Sequence, residues 1–243
     1  MKKISVLEKK LNASAFAFVA ILSAASYSSA QASGSSSNYV GVDGVYSSMK
    51  FREYYGDNIF NKKGIPGVNL FAGHMFNENW GFEAGYEVDK KMKRDNVRVN
   101  SGQTVAGNVV PSLYGFADYN TKLKQHHTYL GFLAKYNLKH NLFASLMLGS
   151  SLSHVHAEYN LFNVNVANAH IDITRSFSKT KLIPIIRAAL EYKINDKIGL
   201  RALTTWKKTS KFKIIAEQPF VGSPSEVKLK NTINIGAGVS YYI

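Results

Sequence analysis

The stretch Trp80-Gly81-Phe82-Glu83-Ala84-Gly85-Tyr86-Glu87-Val88 alternates with a period of two residues. Successive side chains of a β-strand point to opposite faces, so one face carries only aromatic and apolar side chains. The other face carries only glycine and glutamate, which suits a narrow, crowded interior better than open water. A strand that crosses a bilayer needs about 9–11 residues, apolar toward lipid and polar toward the lumen. The pattern therefore predicts a membrane-spanning strand.

Seven further segments have the same alternation, and no stretch after the N-terminal region approaches the ~18 uninterrupted apolar residues of a transmembrane helix. The eight predicted strands are Asn38–Ser47, Ile65–Phe76, Trp80–Val88, His127–Tyr136, Leu142–His154, Leu182–Ile194, Ile198–Trp206 and Asn231–Ile243.

The connections between these strands alternate in length. The short ones are rich in Asn and Asp, as tight turns are: Asn77–Asn79, Asn137–Asn141 and Asn195–Lys197. The long ones are Ser48–Gly64, Asp89–His126, Val155–Lys181 and Lys207–Lys230. This pattern predicts an all-β fold, an eight-stranded antiparallel up-and-down transmembrane β-barrel with short periplasmic turns and long extracellular loops. A secreted β-sandwich is the alternative, but sandwiches rarely sort their loops by length in this way.

Outward-facing aromatic side chains fall near both ends of the predicted strands. Two such bands are expected where a barrel meets the two membrane interfaces. The predicted aromatic girdle consists of Tyr46, Phe76, Trp80, Tyr86, Tyr136, Tyr192, Trp206 and Tyr241.

The N-terminus has the features of a cleaved signal peptide. Lysines precede an apolar stretch from Ala13 to Ala25, and small residues that suit signal peptidase follow at Ala30 and Ala32. A retained helical anchor is the alternative, although the apolar stretch is shorter than the ~20 residues that such an anchor needs. We expect cleavage after residue 30 or 32, a Ser/Gly spacer over 31–37, and a barrel over 38–243 that resides in the bacterial outer membrane.

Composition limits the possible partners. The chain has 243 residues, a hydrophobic content of 45%, no Cys and a formal net charge of +14. The hydrophobic content excludes a disordered chain, and the lack of Cys excludes disulfides and thiolate chemistry. The positive charge favours anionic partners, namely outer-membrane lipid and lipopolysaccharide, and also anionic host glycans or proteins. Nucleic acid would fit the charge, but it lies in the wrong compartment.

Three stretches resemble the OmpA-type transmembrane domain, an eight-stranded outer-membrane barrel. They are Asn77–Tyr86, Leu190–Arg201 with its continuation to Trp206, and Gly238–Ile243. The resemblance covers the transmembrane domain alone, and no peptidoglycan-binding domain follows it, so we expect no cell-wall tether. The final stretch also resembles the signal read by the barrel-assembly machinery, through Gly238, Tyr241 and Ile243, where Ile replaces the more usual terminal Phe or Trp.

Charged residues at inward positions are expected to pair, because a lone charge in a narrow lumen is costly. The resemblance implies that Glu83 and Arg201 belong to an interior salt-bridge network, and Glu191 matches another member. Two basic positions of the family network correspond to Leu133 and Met147, so Arg187 and Lys135 are expected to replace them. The predicted interior charge network is Asp43, Glu83, Lys135, Arg187, Glu191 and Arg201, and Glu87 and Lys193 are further inward charges.

Two roles follow for this interior. An eight-stranded barrel is only wide enough to be filled by its own side chains, which predicts a plugged structural core. The alternative is a small gated pore that opens when Glu83 and Arg201 exchange partners.

The long loops are basic, which predicts contact with lipopolysaccharide phosphates or attachment to anionic host molecules. The basic residues of the second and fourth long loops are Lys90, Lys91, Lys93, Arg94, Arg98, Lys122, Lys124, Lys207, Lys208, Lys211, Lys213, Lys228 and Lys230.

Some eight-stranded barrels modify lipid A with a Ser, a His and an acid near the outer rim, and this chain offers Ser151, Ser153, His154, His156 and Glu158 there. Because such loose spacing does not define a triad, we expect no catalytic residues and no enzyme activity. Metal binding by the adjacent His126 and His127, or by His154 and His156, is the other possibility, but surface histidine is favoured and no cofactor is expected. The sequence thus predicts a structural, surface-interacting barrel.

Overall fold

The structure is a computed structural model that describes residues 37–53, 60–100, 104–105, 108–109, 116–166, 169–208, 210–214, 225–229 and 231–243. The predicted signal peptide and all but the last residue of the predicted spacer lie outside these residues. Among the described residues, no helix is long and apolar enough to cross a membrane.

Eight long antiparallel strands form the barrel: β1 (Ser37–Glu53), β2 (Phe60–Met75), β3 (Trp80–Asp89), β7 (Phe116–Lys139), β8 (Leu142–Val166), β9 (Ala169–Lys193), β10 (Ile198–Lys207) and β13 (Thr232–Tyr242). Shorter strands lie in the long connections: β4 (Met92–Asn100), β5 (Thr104–Val105), β6 (Asn108–Val109), β11 (Ser210–Ile214) and β12 (Ser225–Leu229).

The barrel closes between its first and last strands. Around the ring the order is β1, β2, β3, β7, β8, β9, β10 and β13, and β13 returns to β1. Val42 of β1 pairs with Leu70 of β2 on one side and with Val239 of β13 on the other. The first strand is therefore paired on both sides, and the barrel is closed. Closure leaves no sheet edge, so each backbone polar group at membrane depth can find a partner. The predicted fold class and all eight strands are confirmed.

Two of the three short turns are built by Asn side chains. The Asn77 Oδ1 atom accepts hydrogen bonds from the backbone N–H groups of Asn79 and Trp80, both at 2.9 Å. Asn195 does the same for Lys197 and Ile198, at 2.9 and 2.8 Å. This local bonding replaces a backbone turn and explains why Asn recurs at these positions.

Several strands run well past their predicted ends. β7, β8 and β9 have 24, 25 and 25 residues, so much of the predicted loops Asp89–His126 and Val155–Lys181 is paired strand. The prediction stopped where lipid-facing apolar residues stop. Backbone pairing does not need that alternation, and it continues beyond it: Lys122 lies opposite Glu158, and Tyr159 lies opposite Arg175.

The lipid-facing surface is apolar. Large hydrophobic side chains that were predicted to face outward are about half exposed, for example Leu130, Leu146, Leu200 and Ile235. The alternate residues of the same strands are buried inside the barrel, where Phe71, Met147 and Leu203 join the polar groups that define the candidate site.

Candidate functional site

The barrel interior contains three groups of polar side chains at successive levels. From the short turns toward the long loops they are the turn-side cluster (Lys135, Glu191, Ser240, Tyr242), the central cluster (Asp43, Glu83, Tyr129, Arg187, Arg201) and the loop-side cluster (Glu87, Asp89, His127, Lys207). Because side chains alternate between the two faces of a strand, every second residue of each strand points into the lumen, and the residues of these clusters occupy such positions.

Glu83 is the centre of the central cluster. Its Oε2 atom lies 2.7 Å from Nη1 of Arg201, and its Oε1 atom lies 3.0 Å from Nη2 of Arg201 and 2.8 Å from Nη1 of Arg187. The hydroxyl groups of Tyr39 and Tyr129 also donate to this carboxylate, each at 3.2 Å. All five side chains are buried, so a single carboxylate is held by two guanidinium groups and two phenols.

Asp43 completes the charge balance of this level. Its Oδ1 atom lies 3.9 Å from Nε of Arg201, and its Oδ2 atom accepts a hydrogen bond of 2.8 Å from Asn69. Two carboxylates therefore face two guanidinium groups, Arg187 and Arg201, and the central cluster is neutral. Buried charges are tolerable when they are paired and hydrogen-bonded in this way.

Arg187 occupies the place that the sequence analysis assigned to it. In the sheet it lies directly opposite Met147, one of the two positions at which the family network has a basic residue. Its Nε atom donates to Thr205 at 2.8 Å, and its guanidinium carbon lies 4.4 Å from the centre of the Tyr129 ring. Compared with the family pattern, the positive charge lies on β9 instead of β8, and it still contacts Glu83.

The turn-side cluster centres on Glu191. Its Oε2 atom lies 2.7 Å from Lys135 Nζ, and its Oε1 atom accepts hydrogen bonds from Ser240 and, at 2.6 Å, from Tyr242. Lys135 also donates to the Tyr242 hydroxyl at 2.7 Å, across the full width of the barrel. Lys193 lies over the face of the Tyr242 ring, 4.2 Å from its centre.

The loop-side cluster was only partly predicted. Glu87 was recognised as inward, and Lys207 Nζ lies 2.6 Å from its Oε1 atom, which also accepts a bond of 2.7 Å from Asn234. Asp89 and His127 are buried beside it, so the expectation of a surface histidine was wrong for His127, which is an inward residue of β7. The period-two alternation does predict their orientation. Asp89 lies on the same face of its strand as Glu83 and Glu87, and Lys207 lies on the same face as Arg201. Both residues belong to the predicted loops Asp89–His126 and Lys207–Lys230, but in the structure they end strands β3 and β10.

Exposed lysines lie on the outside of the barrel just beyond the lipid-facing residues, four of them at β3, β4 and β7 and one at the end of β10. We name the group formed by Lys90, Lys93, Lys122, Lys124 and Lys208 the basic collar, and all five are exposed or partly exposed. Lys90 lies two residues beyond the outward Val88, and Lys208 lies two residues beyond the outward Trp206. Lys93 of β4 and Lys122 of β7 are direct partners in the sheet. The side chains of Arg94, Arg98, Lys211, Lys213 and Lys228, together with the whole of Lys230, lie outside the described part of the molecule.

One acidic residue lies among these lysines. Glu158 accepts a hydrogen bond of 3.2 Å from His156, and its carboxylate lies 3.8 Å from Lys122 Nζ. The bond from His156 lowers the pKa of Glu158, and the nearby positive charges of Lys122 and Lys91 act in the same direction.

The serine and histidine residues of the rim do not come together as a triad. Ser151 and Ser153 are buried at inward positions, whereas His154 and His156 lie on the outer face of the same strand. His154 instead bonds to Thr180 and Ser178, at 2.8 and 2.9 Å, and stacks on His126 with ring centres 4.6 Å apart. Strand alternation is the reason, because residues an odd number apart face opposite sides.

The predicted girdle residues lie on the outside of the barrel. Six of them are exposed and two, Tyr86 and Trp206, are partly exposed. Trp80 stacks on Phe132 at 5.4 Å between ring centres. Of the predicted assembly signal, Tyr241 and Ile243 face outward and Gly238 packs against Asp43 and the backbone of Val42.

Comparison with known proteins agrees with this geometry. A family model described as outer membrane protein beta-barrel domain matches residues 14–242. No curated protein sequence matches the chain. Among solved structures, Neisserial surface protein A is 14% identical, with 84% of this chain and 96% of that chain covered and a TM-score of 0.43. Ail, the attachment invasion locus protein of Yersinia pestis, is 16% identical, with coverages of 86% and 97% and a TM-score of 0.42.

The outer membrane protease OmpT of Escherichia coli is also similar, at 10% identity, with coverages of 87% and 98% and a TM-score of 0.43. At these identities and TM-scores, no activity can be carried over from these proteins. The family match extends over nearly the whole chain, and the closed eight-stranded barrel with an apolar exterior is the fold that it describes. The chain therefore belongs to the outer membrane protein β-barrel family.

Proposed function

We propose that the protein is a structural, surface-interacting barrel of the outer membrane, and that its basic collar binds the phosphate groups of lipopolysaccharide. The position of the collar carries this proposal. Each residue of an extended strand advances about 3.4 Å, so Lys90 and Lys208 stand about 7 Å beyond Val88 and Trp206. With a strand tilt of about 35–45° this is about 5 Å along the membrane normal, and we infer that it brings the two ammonium groups to the level of the lipid headgroups.

The pairing of Lys93 with Lys122 supports an anionic ligand. Like charges directly opposite each other on neighbouring strands destabilise a sheet. Among the described residues, Glu158 forms an ion pair with one of them, Lys122, and Lys124 adds another positive charge two residues along the strand. A phosphate that bridges the lysines would relieve this repulsion, and a basic cluster beside a membrane attracts anionic headgroups.

Binding of labelled lipopolysaccharide to the barrel in detergent micelles tests this proposal. The variant Lys93→Gln/Lys122→Gln, which removes the two facing lysines, should bind at least severalfold more weakly, and the difference should shrink at high salt. Lys139→Gln/Lys197→Gln is the matched control, because it removes the same charge from exposed residues at the short turns. Equal binding by both double variants would refute a role for the collar.

Adhesion to anionic host glycans is the finer form of the same proposal, because sulfate and carboxylate groups would meet the same lysines once they project beyond the membrane. Exchange of residues 90–115 and 208–230 for neutral sequences, which leaves Asp89, Lys207 and strand β7 in place, should then abolish binding to heparin-like glycans or to host cells. Full binding by the exchanged protein would remove this role and leave lipopolysaccharide contact.

A gated pore is the second candidate, and it is favoured by the double contact of Glu83 with Arg187 and Arg201. A carboxylate between two cations could transfer from one to the other. The buried central cluster argues for a closed lumen at rest. Planar-bilayer recordings distinguish the two, since ion steps of the wild type that disappear in a Glu83→Gln barrel that is still compact on an unboiled gel would favour the pore.

We further propose that the barrel is not an enzyme, because Ser151 and Ser153 face the opposite side of β8 from His154 and His156. A lipid A-modifying activity remains the competing idea, and mass spectrometry of lipid A tests it. Cells with and without the protein should have the same acyl pattern.

A further inference from the structure

The loop-side cluster contains an unusual set of ligand-type atoms. Glu87 and Asp89 of β3 and His127 of β7 each offer one oxygen or nitrogen, and the three atoms lie within 4.8 Å of one another. The side chains of all three residues are at most 6% exposed. The set is therefore shielded from water, at the level where the membrane-spanning part of the lumen ends.

The charges of this cluster do not balance. Two carboxylates, Glu87 and Asp89, face one ammonium group, that of Lys207, which lies 2.6 Å from Glu87 Oε1. Asn234 and Ser47 contribute hydrogen bonds to the carboxylates, at 2.7 and 3.0 Å, but no charge. Among the four residues of the loop-side cluster, one negative charge is thus left over in a buried place, whereas the central cluster is neutral. A buried charge without a counter-charge is costly, and a bound cation would remove that cost.

Two buried atoms of the cluster have no hydrogen-bond partner among the described residues. They are Oε2 of Glu87 and Nδ1 of His127. The other ring nitrogen of His127 lies 2.5 Å from the Gln125 amide nitrogen and 4.0 Å from Asp89 Oδ2. Buried polar atoms normally find partners, so two of the three candidate residues each have a side-chain atom that is open to a further ligand.

We propose that Glu87, Asp89 and His127 form a binding site for a divalent transition-metal ion, with zinc as the best match. One imidazole and two carboxylates are a ligand set that Zn²⁺ accepts, whereas Ca²⁺ and Mg²⁺ prefer oxygen alone. Ligand atoms of a tetrahedral zinc site lie roughly 3.3 Å apart, given bond lengths of about 2.0 Å. Small rotations of the side chains would contract the present set to that size.

The ion would link β3 to β7 at the loop end of the lumen. Lys207 is its competitor, because the ammonium group already holds one of the oxygens of Glu87. Metal binding must displace Lys207 or share Glu87 with it, and this predicts a modest affinity that improves when the ammonium is removed.

Zinc titration of the purified metal-free barrel by calorimetry tests the proposal. We expect one buried site in the wild type, at least tenfold weaker binding in His127→Gln, and severalfold tighter binding in Lys207→Met. The matched control is His126→Gln/His154→Gln, which removes the stacked histidines of the outer surface and should leave the site intact. Ca²⁺ and Mg²⁺ should bind far more weakly than zinc.

X-ray absorption at the zinc edge supplies a second readout that does not depend on whether His127→Gln folds. One imidazole shell together with oxygen ligands is expected in the wild type and in the outer-surface variant. Unchanged affinity in a folded His127→Gln protein would overturn the proposal. So would the loss of binding in His126→Gln/His154→Gln, which would place the zinc on the outer surface.

Discussion

Arg201 and Glu83 form a two-point ion pair across the full diameter of the barrel. The two guanidinium Nη atoms lie 2.7 and 3.0 Å from the two carboxylate oxygens. The residues are 118 positions apart in the chain, and their strands β10 and β3 are four strands apart in either direction around the ring. Paired hydrogen bonds of this kind are among the strongest between side chains, so the contact ties opposite walls together.

Removal of the charge of Glu83 should strongly destabilise the barrel. In Glu83→Gln both Arg187 and Arg201 lose their main counter-charge while they remain buried. Breaking one side of a buried ion pair typically costs about 3–5 kcal/mol, so we expect a loss of free energy of unfolding in that range. Urea unfolding of the barrel in detergent, followed by its compact band on unboiled gels, measures this loss.

Glu78→Gln is the control for that experiment, because Glu78 carries the same charge on an exposed short turn. Its free energy of unfolding should stay within about 0.5 kcal/mol of the wild type. Equal stability of the two variants would contradict a structural role for the central cluster.

Glycine at the inward position 85 makes room for a tyrosine ring. A Cβ atom at Gly85 would overlap the ring of Tyr129, which bonds to Glu83. Gly85→Ala must therefore displace that ring, and overpacking of this kind costs about 1–3 kcal/mol. Gly44→Ala is the control, since the nearest atom to its added Cβ is 3.8 Å away. Thermal unfolding of the two variants should separate them clearly, and equal midpoints would show that Tyr129 is not tightly held.

The last two tyrosines of the chain should behave differently on loss of their hydroxyl groups. Tyr242 donates to Glu191 and accepts from Lys135, whereas Tyr241 points outward. Tyr242→Phe should cost about 1–3 kcal/mol, because it removes hydrogen bonds to charged groups. Tyr241→Phe should change the free energy of unfolding little. Urea midpoints measured side by side check this, and the reverse order would show that the alternation of β13 is misassigned.

The alternation of apolar and polar residues was enough to predict the eight membrane-spanning strands, because every second side chain of each strand faces lipid and must be apolar. It predicted that Glu83 and Arg201 face inward, but the pairing of residues that far apart came from the family resemblance. The same alternation predicts that Lys207 faces inward, but it does not predict the contact of Lys207 with Glu87. The alternation of apolar residues ends at Trp206, and Lys207 therefore falls in a predicted loop.

The extension of β7 and β8 beyond the membrane could not be predicted in the same way. There the outward residues include Lys122, Lys124 and Glu158, which carry no apolar period. Their strand structure depends on backbone pairing with a distant partner, and a single segment does not display that information. The basic collar therefore depends on residues that the fold brings together, and no single stretch of sequence predicts it.

The most direct test of the account is the accessibility of spin labels to oxygen, which concentrates in lipid tails, and to a water-soluble nickel chelate. Labels at Leu146 and Leu200, on the outer face, should be relaxed by oxygen. Labels at Ser145 and Leu203, which face the interior, should be protected from oxygen. If Ser145 and Leu203 met the lipid tails while Leu146 and Leu200 were reached by the nickel chelate, the assignment of lumen and exterior would be inverted, and the interior clusters could not exist.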